Sequence, residues 1–77
     1  MLKPQQVLDR YYLETRCMLL ETAAVLDRYD AAVEREGSAA DDELKLNVLR
    51  KALQVLSDPE GNERGEELLK VFTEVPT

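Results

Sequence analysis

Two glutamates, Glu14 and Glu21, with the chain's one cysteine, Cys17, midway between them, are the residues from which chemistry would have to start. Their spacing is two helical turns, so both carboxylates share one seam of a helix, like the carboxylate half of a di-metal site in a bundle. Such sites complete their ligand set with Glu-x-x-His, and this chain has no histidine. Arg10, one turn before Glu14, predicts an ion pair there instead. Cys17 stands at helical spacing from Leu13, Leu20 and Ala24, which predicts a small buried hydrophobe. As a nucleophile it would lack an imidazole to take its proton, and Arg16 is its only adjacent cation. Pairs of carboxylates can run hydrolysis, but no Gly-rich loop or second domain is present to shape a pocket around them. The residues therefore predict no catalytic group, no metal site and no cofactor.

The pentapeptide VLDRY occurs twice, at Val7–Tyr11 and Val25–Tyr29. The offset of eighteen residues is five turns of an ideal helix, so both copies project in one direction, about 27 Å apart. Beyond the pentapeptide the windows diverge at once, Tyr12-Leu13-Glu14 against Asp30-Ala31-Ala32. That is one helix face used twice, not a structural repeat. Met18 is the midpoint of the two copies, which suggests two chains pairing antiparallel about it. The expected interface is Val7, Tyr11, Met18, Val25 and Tyr29, with Arg10–Asp27 and Asp9–Arg28 contacts between chains setting the register.

Glycine and proline mark the elements that must carry these residues. Pro4 suits a first helical turn, nothing interrupts the chain up to Glu36, and Gly37 follows where a helix C-terminus favours it. This predicts one helix over about 4–36, roughly 48 Å long. Asp41-Asp42-Glu43 can cap a second helix over about 42–57. Asp58-Pro59-Glu60-Gly61 has the pattern of a type I turn, and Asn62 is placed to cap a third helix over about 63–74, ended by Pro76. Gly65 weakens the start of that helix by about 1 kcal/mol relative to Ala. No segment reads as a strand.

Helix one carries two apolar stripes. The broad one holds Val7, Leu8, Tyr11, Thr15, Met18, Leu19, Thr22, Val25, Leu26, Tyr29 and Val33, and the narrow one Leu13, Cys17, Leu20, Ala24 and Ala31. Helix two has two adjacent rows, Leu46, Leu49, Leu53 and Leu56 beside Leu44, Val48, Ala52 and Val55; helix three presents Leu68, Leu69, Val71, Phe72 and Val75. Helices two and three together match helix one in length, so helix two is expected to run back along it, with helix three covering the rest. A chain this small is marginally stable alone, and with one cysteine it forms no internal disulfide. An all-α fold of one domain, 1–77, completed as a bundle-like homodimer, is the expectation.

Composition narrows the partners. The net charge is −6 and no segment is basic, which disfavours binding to nucleic acid or to an anionic membrane. No apolar run approaches the ~20 residues of a membrane span, and Met1-Leu2-Lys3-Pro4-Gln5-Gln6 does not read as a secretory leader. A reduced, cytoplasmic setting is expected. The stretch YYLETRCMLLETAAVLDRYD resembles helices of short, uncharacterised all-α bacterial proteins, a resemblance that implies no activity, ligand or site residue. The chain thus reads as a self-associating interaction or scaffold module able to take a further protein partner. The alternative is an acidic regulator that binds a basic protein.

Overall fold

The computed structural model describes residues 1–75; Pro76, expected to end the last helix, lies outside the described residues. Three α-helices follow one another, α1 (Pro4–Glu36), α2 (Leu44–Ser57) and α3 (Arg64–Phe72), and no strand occurs among the described residues. The all-α expectation is met, with each helix within two residues of its expected bounds. The chain divides into two units, residues 1–38 and residues 39 onward.

The first unit is α1. Pro4 occupies its first turn, where the missing N–H costs nothing. The Lys3 backbone N–H donates to Gln6 Oε1 at 2.8 Å, and Gln5 Nε2 donates to Asp9 Oδ1 at 2.9 Å, which ties down the opening turns. At the other end Gly37 has φ of 76°, a left-handed conformation that a Cβ would penalise, and its N–H donates to the Val33 carbonyl at 2.8 Å. The expected glycine stop is therefore realised.

The second unit is the pair α2 and α3, which pack on each other. Asp42 Oδ1 accepts from the Leu44 N–H at 2.9 Å, so the acidic run before α2 does help to start it, and the helix begins two residues later than expected. Gly61 N–H donates to the Asp58 carbonyl at 3.2 Å, closing the expected turn, and Asp58 Oδ1 accepts from the Glu60 N–H at 3.0 Å. Arg64 Nη2 donates to the same Asp58 carbonyl at 3.0 Å, so the turn is fastened from the start of α3. The Asn62 cap is not formed. Glu63 takes the N-cap position with φ of 49°, and no side chain caps α3. Instead, α3 draws its favourable end charge from Glu66 and Glu67 in the first turn and Lys70 in the last. After Phe72 the chain tightens: the Thr73, Glu74 and Val75 N–H groups donate to carbonyls three residues back, each at 3.2 Å.

The core of this unit is small. Val48 and Ala52 are buried, while Leu46, Leu53, Val55, Leu68, Val71 and Val75 are half-buried. Of the two rows on α2, it is the Val48–Ala52 row that turns inward. Leu49 and Leu56 stay exposed. Lys51 Nζ bridges both carboxylate oxygens of Glu74 at 2.9 and 3.0 Å, a link across 23 residues that holds the end of the unit against α2. Both side chains are solvated, so this contributes no more than about 1 kcal/mol.

Candidate interaction surface

α1 buries none of its residues, although a third of them are large and apolar or aromatic by the sequence pattern. Along the broad stripe, Val7 is 41% exposed, Leu8 63%, Tyr11 45%, Met18 60%, Leu19 55% and Val25 50%. On the narrow stripe Leu13 and Leu20 are open to a similar degree. Exposure falls toward the C-terminal third, where Ala24, Leu26, Tyr29, Ala32 and Val33 are half-buried. The open apolar surface is thus concentrated between Val7 and Val25.

An uninterrupted helix fixes the angular relation between these residues. Val7, Tyr11, Met18, Val25 and Tyr29 fall on one stripe, as expected. The charged members of the expected interface do not flank it closely. At 3.6 residues per turn, Asp9 and Asp27 share one line and Arg10 and Arg28 another, roughly 115–145° from the centre of the broad stripe and on opposite sides of it. Glu14 and Glu21 lie nearer, roughly 75–95° from that centre, on the same side as Arg10.

Local contacts refine the picture. The Arg10 guanidinium stands over the Tyr11 ring, 5.6 Å from its centroid, a cation–π contact that shields one edge of the stripe. Among the described residues the ion pairs are Arg35–Glu36, Lys51–Glu74 and Lys70–Glu67, so the expected Arg10–Glu14 pair is not formed. Cys17 is exposed and not buried, because a single helix offers it no second surface on the narrow stripe. Thr22 Oγ1 donates back to the Met18 carbonyl at 3.0 Å, which satisfies its hydroxyl within the helix and leaves its methyl group on the stripe.

Two shallow depressions run along α1, one lined by Arg10, Tyr11, Leu13, Glu14 and Cys17, the other by Tyr12, Thr15, Arg16, Leu19 and Leu20. Each is built from one helix alone and therefore has no opposing wall. No group of three or more His, Cys, Asp or Glu side chains converges on a common point among the described residues, and Glu14 and Glu21 remain two turns apart. No helix among the described residues is long and apolar enough to cross a membrane. The surface is suited to covering by another surface.

Tyr12, 66% exposed, lies beside the broad stripe and lines one depression with Leu19 and Leu20, although neither apolar stripe of the sequence pattern includes it. Its neighbour Tyr11 occupies the stripe itself, and an adjacent position on a helix points about 100° away. No protein-family model matches the chain, and neither a curated protein nor a solved structure is significantly similar to it.

Proposed function

We propose that this protein is an interaction module that associates with a second copy of itself through the broad stripe of α1 and has no catalytic role of its own. One observation carries the reading: six large side chains on a single helix face, Val7, Leu8, Tyr11, Met18, Leu19 and Val25, are 41–63% exposed. Moving a half-exposed side chain of this size into a packed interface is worth roughly 1 kcal/mol, so two chains gain about 12 kcal/mol. Association costs about 4–15 kcal/mol in lost freedom, which leaves a dimer of micromolar affinity or weaker. The mass measured by light scattering or sedimentation over about 1–500 µM should rise from monomer to dimer. A monomeric mass at the top of that range overturns the proposal.

A second reading, docking to a basic protein, draws on Glu60, Glu63, Glu66 and Glu67, exposed acids at the start of α3 within a chain of net charge −6. Its signature is binding that weakens steeply with salt. Apolar self-association strengthens or holds under the same change.

A further inference from the structure

Resting on the self-association proposed above, we infer that two copies of α1 pair antiparallel about a two-fold axis between Thr15 and Arg16, with Arg10 of each copy meeting Glu21 of the other. In a two-fold antiparallel pair, residue i of one helix lies level with residue C − i of its mate, and each flank of the stripe faces the same flank of the second copy. Charges on one flank must therefore complement themselves. On the flank closest to the stripe the order is Lys3, Arg10, Glu14, Glu21, Arg28.

The Met18 register, with C of 36, fails this condition. It sets Glu14 level with the neighbourhood of Glu21 and Arg10 near Arg28, and on the far flank it sets Asp9 against Asp27. Like charges then meet on both sides. With C of 31, Arg10 and Glu21 are level and the symmetry makes the contact twice, while the like-charged Lys3 and Arg28, which also come level, lie at the ends of the overlap outside the stretch Val7–Val25. The same register sets the open stretch Val7–Val25 against residues 6–24 of the mate, so every residue that is exposed on the broad stripe is covered. Arg16 comes level with its own copy on the other flank, about as far from the stripe centre as Arg10, one like-charge contact set against the two between Arg10 and Glu21.

Sliding a further seven residues, to C of 24, would pair Arg10 with Glu14 and Lys3 with Glu21. It would also carry Val25, 50% exposed, past the first residue of the mate. The position of the exposed surface therefore selects the register centred between Thr15 and Arg16. Glu21 forms no ion pair within its own chain among the described residues, and Arg10 is held only by the Tyr11 ring. Both are available to a second copy.

The test is a charge exchange read by the dimer dissociation constant at low salt. Arg10→Glu and Glu21→Arg alone should each weaken dimerisation about 10-fold, because two attractive contacts become repulsive. Together they should restore it to within about 3-fold of the unaltered protein. Circular dichroism at high concentration checks that each variant keeps its helix, as substitution at these exposed positions allows. A double variant no tighter than the singles, or dimers indifferent to either exchange, overturns the register while self-association stands. A protein that is monomeric without any substitution overturns both.

Discussion

A disulfide placed across the two-fold axis reads the register directly. Replacing Thr15 by Cys, in a Cys17→Ser background, sets one new thiol on each copy of α1. With the axis between residues 15 and 16, the two Cα atoms at position 15 are offset by about 1.5 Å along the helices. Packed helices lie about 8–10 Å apart, and each Cα sits about 2.3 Å off its axis, so inward-facing Cα atoms approach to about 3.4–5.4 Å laterally. The resulting separation of about 3.7–5.6 Å overlaps the 4.4–6.8 Å that a disulfide tolerates. Position 18 behaves differently. Its two copies are offset by five residues, about 7.5 Å, and their Cα atoms fall about 8–9 Å apart, beyond the reach of a bridge. Mild oxidation in a glutathione buffer at a few micromolar protein, followed by a non-reducing gel, should give a covalent dimer for Thr15→Cys. Met18→Cys in the same background should stay largely monomeric on the gel. Equal yields, or faster bridging at position 18, would refute the register. Faster bridging at 18 would return the axis to the midpoint of the VLDRY pair.

The second unit offers two tests by urea denaturation that do not depend on pairing. A Cβ built on Gly65 meets nothing within 4 Å, so Gly65→Ala should stabilise the unit by about 0.5–1 kcal/mol; a loss of stability would show that α3 needs the glycine for a contact the fold does not contain. Val48 is only 2% exposed and Leu53 is half-buried, so Val48→Ala should cost about 2 kcal/mol and Leu53→Ala about 1 kcal/mol, although the leucine loses more atoms. The reverse order would place the inward row of α2 on the leucines.

The helices were legible in the sequence because backbone constraints act locally. Pro4 and Gly37 bound α1 through a missing N–H and a left-handed φ, and both effects depend on one residue each. The Asp58–Gly61 turn was legible for the same reason, since Pro59 presets its own φ. What failed was any inference that needed to know what a side chain faces. Asn62 has the right chemistry for a cap, but Glu63 takes the left-handed N-cap conformation, and the helix starts one residue too late for the amide to reach it. The two rows of α2 are equally apolar on paper, and the choice between them belongs to α3, which packs on α2 with Leu68 and Val71 half-buried while Val48 and Ala52 are the buried residues of α2. A close approach favours small residues there, and Leu49 and Leu56 are left outside.

The same distinction decides how the doubled pentapeptide should be interpreted. Identity of sequence at a five-turn offset makes two positions point alike, and that follows from helix geometry without reference to a partner. Choosing Met18 as a symmetry centre adds a second assumption, that the two copies contact each other's equivalents. A two-fold antiparallel pair would then set Asp9 against Asp27 and bring Arg10 near Arg28, because identical flanks carry identical charges. A direct repeat along a helix is therefore a poor antiparallel interface for its own charged residues, whatever its apolar ones do. Complementarity must come from residues that the repeat does not contain. Glu14 and Glu21, first of interest as half of a metal site, are the acids on the flank nearest the open stripe. Of these, only Glu21 comes level with Arg10 when the whole exposed stretch is covered. The carboxylate that could not find a metal partner is thus the one whose position best matches an arginine on a second chain.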